Sequence, residues 1–346
     1  MNAGVSYTLR DCPACGAPGA GEIAGAEEFR REVEELWEFH QQRLSENVPV
    51  ERLLDRVAFS QHAPLRVVRC GQCGAIYRNP AESLGELRDA YASDPPSPDV
   101  LRALHDTQRP AYRAQARRLT EVCGRAGSVL EVGSYAGAFL AEARDAGWMA
   151  EGVDVSTAVN VVTRELGFIT HDGSLEELQR DEPDRRWDAI AIWNTFDQLP
   201  DQRAAAFAAH AMLRDGGIVA LRVPNGAFYA AVRGHLEGPM SAAARMLLAH
   251  NNLLAFPYRV GFTPASLHRL LEPIGFSVER VHGDVLVPIA DEYTHRWAGI
   301  EERVVKSLLR LVANAARDDE IVTAPWFELY ARKVRAGTRP PTSPSR

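Results

Sequence analysis

With 346 residues, 46% hydrophobic and 25% charged, the chain has the make-up of a globular protein that can bury one large core plus a smaller appended module. A formal charge of −7 speaks against a protein that lives on phosphate backbones, and no apolar run approaches the ~20 residues of a membrane helix. The first residues, Met1-Asn2-Ala3-Gly4-Val5, lack a basic stretch followed by an apolar one, so no signal peptide and a cytoplasmic location are expected.

Four of the five cysteines form two matching knuckles, Cys12-Pro13-Ala14-Cys15-Gly16 and Cys70-Gly71-Gln72-Cys73-Gly74. A C-x-x-C-G turn folds both sulfurs toward one point, and two such turns make the closed four-sulfur site of a structural zinc. Cys12, Cys15, Cys70 and Cys73 are therefore the expected metal ligands, and Cys123 a buried thiol. The knuckles stand 70 − 15 = 55 positions apart, more than a minimal zinc ribbon needs, so something is inserted. From Ala26 to Ser45 the residues Phe29, Val33, Leu36, Trp37, His40 and Leu44 recur at helical spacing. This predicts a surface helix packed on its own module, with a lid or a dimer contact as the functional alternative. Short strands are expected at Leu65–Arg69 and Ala75–Arg78, ended by Asn79-Pro80, and His40 and His62 read as polar surface residues. Residues 81–127 read as a connector, with helices at Ser83–Tyr91 and Val100–Cys123.

From residue 128 the pattern alternates. Strands are expected at 128–132, 149–154, 167–170, 188–193 and 217–223, with helices starting near Gly137, Thr157, Leu175 and Asp201. Alternation implies right-handed crossovers: an α/β, Rossmann-like, doubly wound and mostly parallel sheet whose ligands lie at the carboxyl ends of the strands. After the first strand, Gly133 permits a positive-φ turn and Gly137 lets the helix start approach a ligand closely. Asp154 ends the second strand 154 − 133 = 21 positions later, placed to accept both hydroxyls of a ribose. The row Gly133-Ser134-Tyr135-Ala136-Gly137 lacks the G-x-G-x-x-G of a dinucleotide site, and no P-loop is present.

Val129-Leu130-Glu131-Val132-Gly133 through Gly137, and then Gly152-Val153-Asp154-Val155-Ser156, resemble the class I S-adenosylmethionine-dependent methyltransferases. Trp187 through Asn194 and Leu213 through Asn225 continue the resemblance, which covers about residues 100–335. The paired C-x-x-C module is similar to that of bacterial sugar and small-molecule methyltransferases that begin with a zinc-binding domain. The resemblance implies that the turn, with Gly133, Ser134, Tyr135 and Gly137, cradles the methionine part of the cofactor, with Glu131 near its amino group. Asp154, with Val155 beside it, takes the ribose; Asp172 to Leu175, including Ser174, lies beside adenine; Asn194 lies under the sulfonium. Two departures stand out. The turn has only two of the family's usual three alternate glycines, and Asp197-Gln198 stands where relatives carry an acid followed by histidine, so no ready base is found there.

An insert over the acceptor site is implied for Pro224–Phe262, with helices around 229–236 and 242–250 and with His250, Asn251, Asn252, Tyr258 and Arg259 available. His250 either serves as base for a hydroxyl acceptor or caps a helix, and Arg259 either binds an acidic substrate group or pairs with a surface acid. His250, Tyr258 and Asp197 are the catalytic candidates. Thr263-Pro264 starts a capped helix, Ser266–Ile274, then a strand at Phe276–Val287, a helix at 299–316 and a last strand at Trp326–Val334. Relatives place that last strand antiparallel at the sheet edge. The expected organisation is a zinc-ribbon module at 1–80, a connector at 81–127, a methyltransferase domain at 128–335 and a disordered tail at 336–346. The expected activity is S-adenosylmethionine-dependent methylation of a small molecule, a sugar or secondary metabolite, first at oxygen. Nucleic acid and membrane are not expected partners, and a homodimer is possible. Two alternatives stay open: an RNA methyltransferase whose zinc module grips nucleic acid, and a catalytically idle cofactor-binding or scaffold protein.

Overall fold

The computed structural model describes residues 7–46, 48, 65–82, 96–251, 258–286, 293–315 and 323–334. His62, Asn252, the helix expected at Ser83–Tyr91 and the tail after Val334 lie outside these. The N-terminal module contains β1 (Tyr7–Thr8), β2 (Ala20–Ala24), α1 (Ala26–Gln41), β3 (Val67–Cys70), β4 (Ile76–Arg78) and β5 (Ala81–Glu82). Strands β2, β3 and β4 form an antiparallel meander, and β1 pairs with β5. Both knuckles close alike: the Gly16 N–H donates to the Cys12 carbonyl at 2.8 Å and the Gly74 N–H to the Cys70 carbonyl at 3.0 Å. Each closure needs a positive φ, 71° and 75°, which explains a glycine after each second cysteine.

The connector is one long helix, α2 (Pro98–Cys123). Ser97 caps it, proline opens it, and Gly124 ends it in the left-handed region. Then follow β6 (Ser128–Val132), α3 (Ala138–Asp145), β7 (Met149–Asp154), α4 (Thr157–Glu165), β8 (Ile169–Asp172), α5 (Leu175–Asp181), β9 (Trp187–Trp193), α6 (Gln202–Met212) and β10 (Leu213–Pro224). The chain goes on through α7 (Gly226–Arg233), α8 (Ser241–Asn251), β11 (Val260–Gly261), α9 (Pro264–Leu271), β12 (Phe276–Asp284), α10 (Arg296–Ala315) and β13 (Trp326–Lys333).

Seven strands make the central sheet, in the order β12-β13-β10-β9-β6-β7-β8. β13 runs antiparallel to both neighbours, and the other described pairs, β10–β9, β9–β6, β6–β7 and β7–β8, are parallel. From β6 the chain first builds outward through β7 and β8, then returns to add β9 and β10 on the other side. The reversal opens a crevice outside the carboxyl ends of β6 and β9.

Three expectations are corrected here. The third strand runs over Ile169–Asp172, two residues later than its pattern suggested, and the fifth starts at Leu213 rather than 217. The last strand is antiparallel but not at the edge, which belongs to β12. Trp326, Phe327, Leu329, Tyr330 and Ala331 are all buried, as a strand with neighbours on both sides and cover on both faces requires, whereas β12 alternates with exposed positions. The boundary near residue 80 is also not a clean one. β11 pairs with β4, Val260 opposite Tyr77 and Gly261 opposite Ile76, so a segment after β10 completes the N-terminal module's sheet. The same region packs against the start of α7: a Cβ on Gly226 would lie 2.4 Å from the Gly261 carbonyl oxygen, so only glycine fits there.

The apolar core ignores that boundary too. Cys12, Cys70, Ala75 and Tyr77 share one cluster with Phe196, Val260, Phe262 and Leu267. Helix α1 does not pack on its own module alone. Phe29 and Val33 join Phe228, Tyr229 and Leu248 of α7 and α8. The charges on its flank pair with the same helices: Arg233 with Glu32 at 2.7 Å, and Arg245 with Glu35 at 2.5 Å. The Tyr229 hydroxyl donates to Glu32 at 3.1 Å.

Candidate active site

The loop after β6 is built from backbone. Gly133 has φ 71°, and a Cβ there would sit 2.6 Å from Thr195 Oγ1, so position 133 is reserved for glycine by conformation and by space. Its N–H donates to the Val153 carbonyl at 2.8 Å, tying the loop to β7. Tyr135 takes a left-handed φ of 43° without being glycine, a conformation that such residues keep at sites where the surroundings enforce it. The enforcing contact is Asp154, whose Oδ2 accepts the Tyr135 N–H at 3.0 Å while Oδ1 accepts the Ser156 N–H at 2.9 Å. The carboxylate is thus held in one orientation by two backbone donors, and each oxygen keeps a lone pair for a ligand. Burial raises the Asp154 carboxyl above its ordinary value.

Glu131 is the most exceptional group in the crevice. It is 4% exposed, and its Oε2 has no hydrogen-bond partner among the described residues. Burial, with the neighbouring Asp154 charge adding to it, pushes its carboxyl well above the usual carboxylate range. A buried carboxylate oxygen without a partner is costly, and a cation arriving in the crevice removes the cost.

Across the crevice Asn194 leaves β9 with φ 56°. Its amide N–H donates to the Arg222 carbonyl at 3.2 Å, its side-chain oxygen accepts from Arg222 Nη1 at 3.1 Å, and its Nδ2 lies 3.5 Å from the Tyr112 hydroxyl. Arg222 is held in turn by Asp284 at 2.6 Å. Burial pushes the Tyr112 phenol up to about 12, so it stays protonated and able to donate. Sequence reasoning missed Tyr112 and Arg222. The signal for Arg222 was present: a charge inside the otherwise apolar run Val219–Val223 is buried and must be paired. Asn160 was missed as well. From α4 its Nδ2 donates to the Asp154 carbonyl at 2.9 Å and to Asp172 Oδ1 at 2.8 Å, fixing the ends of β7 and β8 together.

Other expected site residues are placed differently. A Cβ on Gly137 would meet Thr163 Cγ2 at 2.9 Å, so this glycine lets the loop pack closely on α4. The Ser134 side chain is buried against Gly152. Val155 follows Asp154, half-buried. The Ser174 hydroxyl accepts the Glu177 N–H at 3.2 Å in a capping box, and Leu175 packs into the core. Asp197 lies fully buried in the turn Phe196–Gln198, accepting the Arg259 N–H at 3.3 Å, and both Arg78 and Arg259 lean their charge toward it. It therefore sits at the joint with the N-terminal module, and burial pushes its carboxyl well up. Arg259 is itself buried, donating to the Gln198 carbonyl at 3.4 Å, which excludes a surface ion pair. Gln198 donates to the Asn194 carbonyl. His250 is buried, with Nε2 3.1 Å from Glu301 Oε1 and the Phe39 ring edge-on at 5.1 Å, and burial lowers its pKa. Tyr258 packs edge-on against Trp326 at 4.7 Å. Thus Asp197 lies against the Tyr258–Arg259 peptide, whose N–H it accepts, while the described partners of His250 are Glu301 and Phe39.

The four cysteine sulfurs do converge, all within 4.8 Å of one another, with Cys12–Cys73 at 3.5 Å and Cys15–Cys70 at 3.6 Å. Four sulfurs ~2.3 Å from a tetrahedral zinc would stand about 3.8 Å apart, so the cluster has the size and the donor set to hold zinc. The Cys12–Cys73 contact lowers the Cys12 thiol and raises that of Cys73, as two sulfurs sharing one proton must. Cys123 is half-buried, and burial pushes it up to about 12.

A family model described as a methyltransferase domain matches residues 104–281, just over half of the chain. The chain belongs to that family. No curated protein matches it. In fold the methyltransferase is similar to a SAM-dependent methyltransferase from Archaeoglobus fulgidus, at 17% identity over 65% of this chain and 94% of that one, with a TM-score of 0.44. It is likewise similar to the CcbJ methyltransferase from Streptomyces caelestis, at 15% identity over 73% and 97% of the two chains and a TM-score of 0.44. A third is the plantazolicin methyltransferase BamL, with 14% identity, 72% and 94% coverage and a TM-score of 0.43. The cofactor is S-adenosylmethionine, and the crevice fits it. The buried Glu131 oxygen, without a partner among the described residues, calls for a cation, and this cofactor carries an ammonium and a sulfonium. Among the described residues no helix is long and apolar enough to cross a membrane.

Proposed function

We propose that the methyltransferase transfers the S-adenosylmethionine methyl to an oxygen of a small-molecule acceptor, a sugar or a secondary metabolite. The observation that carries the cofactor half is Glu131, buried beside Asp154 with an oxygen in want of a cationic donor. Glu131 takes the ammonium, the turn from Gly133 through Ser134 and Tyr135 to Gly137 cradles the methionine part, and Asp154 takes the ribose hydroxyls. Val155, Ser174 and Leu175 flank the adenine, Leu175 by its backbone since its side chain belongs to the core. Asn194, braced by Arg222 and Tyr112, lies under the sulfur. The cofactor supplies an electrophilic methyl on a cationic sulfur. The chain's part is alignment of acceptor and methyl with water excluded, which can account for much of the acceleration.

For a hydroxyl acceptor the base in this reading is His250. Glu301 accepts from Nε2, which leaves Nδ1 as the basic nitrogen, and burial keeps the ring neutral at physiological pH. Tyr258 contributes to the acceptor wall, and Asp197, given its Arg259 and Arg78 surroundings, holds the module joint instead of reacting. The domain reading remains 1–80, 81–127, 128–335 and a tail at 336–346, with β11 as the strand that links the first to the third. The net charge of −7 favours a small molecule over RNA.

Titration calorimetry with S-adenosylhomocysteine tests the cofactor half: binding lost in Asp154→Ala is expected, and a preference for NADH overturns it. An isotope-labelled methyl donor offered with sugar and phenol acceptors, and the products read by NMR, tests the acceptor half. Label on oxygen, with kcat lowered ~100-fold or more in His250→Asn, supports the reading. Label on carbon or nitrogen overturns it.

A further inference from the structure

Helix α10 carries its charge pairs inward and its apolar side chains outward. Ala298, Glu302, Lys306 and Ala313 are buried against the body of the protein, and Lys306 pairs with Glu302 at 2.6 Å on that inner face. The outer face presents Trp297, Ile300, Val304, Leu308, Leu311 and Val312, each between 50% and 67% exposed. Large apolar side chains so placed cost solvation in a monomer. Together they leave on the order of 600 Å² of apolar surface, the upper end of what a monomer carries.

The spacing of the stripe is symmetric about Val304. Trp297 and Leu311 lie seven positions to either side (304 − 297 = 7, 311 − 304 = 7), and Ile300 and Leu308 lie four (304 − 300 = 4, 308 − 304 = 4). Reversing the helix therefore superposes these five side chains on themselves, while Val312 falls on Arg296 at the end of the stripe. A two-fold interface has this requirement: residue i meets j, and j meets i. In an antiparallel pair Trp297 faces Leu311 of the other copy, Ile300 faces Leu308, and Val304, the smaller side chain, meets its own mate at the crossing, where two helices approach most closely. Two faces of this size bury about 1,200 Å² in total, the lower bound of a stable specific interface. Arg296 and Arg303 edge the stripe, exposed, where their charges stay in water while their stems extend the apolar cover.

We infer that α10 is the contact between two copies of this chain, crossing antiparallel at Val304. The pairing is independent of the acceptor and of the cofactor.

Sedimentation equilibrium of the full chain is expected to give twice the 38.1 kDa monomer mass. Val304→Asp combined with Leu308→Asp changes only side chains exposed in the monomer, so an unchanged circular dichroism spectrum and cofactor affinity are expected. The dimer dissociation constant should rise ~100-fold or more, since one facing carboxylate pair at position 304 and a lone carboxylate against each Ile300 would be forced into the contact. Val304→Cys should cross-link to itself under mild oxidation, with wild type as control, while Trp297→Cys should not. A wild-type chain that stays monomeric overturns the inference, as does a dimer indifferent to the double substitution or one in which Trp297→Cys cross-links and Val304→Cys does not. Binding of a monomer to phosphatidylserine vesicles, the other surface that arginines beside an apolar stripe suit, overturns it as well.

Discussion

Glu131 carries the sharpest consequence for measurement. Burial and the adjacent Asp154 raise its carboxyl well above 4.5, so without cofactor it holds a proton to higher pH than an exposed glutamate. A bound ammonium favours the ionised form, so binding must release a proton. Calorimetry of S-adenosylhomocysteine in buffers of different ionisation enthalpy is expected to detect that release, and Glu131→Gln to abolish it. The sign for stability follows from the same shift. A folded value raised above the unfolded one contributes stability that is full below pH 4.5 and lost as pH rises through the folded value. The cofactor-free protein should therefore lose stability to denaturant across that window, less so in Glu131→Gln. At this scale Gly133, Glu131 and Asp154 were legible because each is tied to its neighbours along the chain by the strand–turn–helix pattern. Tyr112 and Asn160 were not, since what gives them meaning is a partner 82 or 12 positions away, and the apolar run around Arg222 announced that it is paired without naming Asn194, 28 positions away.

Elements were read well where their ends carry local chemistry. Ser97, Ser174, Asp201 and Thr263 accept hydrogen bonds from the first turns of their helices, and these caps stand in the sequence itself. The knuckles were legible for the same reason, because two cysteines and a glycine in five residues already fix a sulfur-presenting turn. Metal analysis is expected to give one zinc per chain, lost in Cys12→Ser or Cys73→Ser. Thermal unfolding of those variants should begin at lower temperature, because the knuckle supports β4, and β4 supports β11. Strand order was less legible. An apolar run such as Trp326–Ala331 announces burial, but the neighbour on each side is decided by the whole sheet.

At the scale of the molecule the N-terminal module and the methyltransferase body are one folding problem. Their cores merge around Tyr77, Phe196 and Phe262, α1 lies on α7 and α8, and Asp197 sits between Arg78 and Arg259. A fragment of residues 96–334 should therefore bind a hydrophobic dye and be cut rapidly by protease, since it exposes Phe196, Phe228, Val260 and Phe262. A monodisperse fragment that binds S-adenosylhomocysteine as tightly as the full chain would refute this view.

The sequence by itself determined the alternating α/β core, the four-sulfur cluster and the strand–turn positions of Glu131, Gly133 and Asp154, because each is written in residues close together or at the fixed spacings that one strand, turn or helix imposes. Only the tertiary structure decided that β13 lies inside the sheet, that Val260–Gly261 completes the other module's sheet, and that Asp197 holds a joint. It also decided that Tyr112 and Arg222 brace Asn194. Those outcomes depend on which distant surfaces bury one another, and burial between segments far apart along the chain leaves no periodic mark on either.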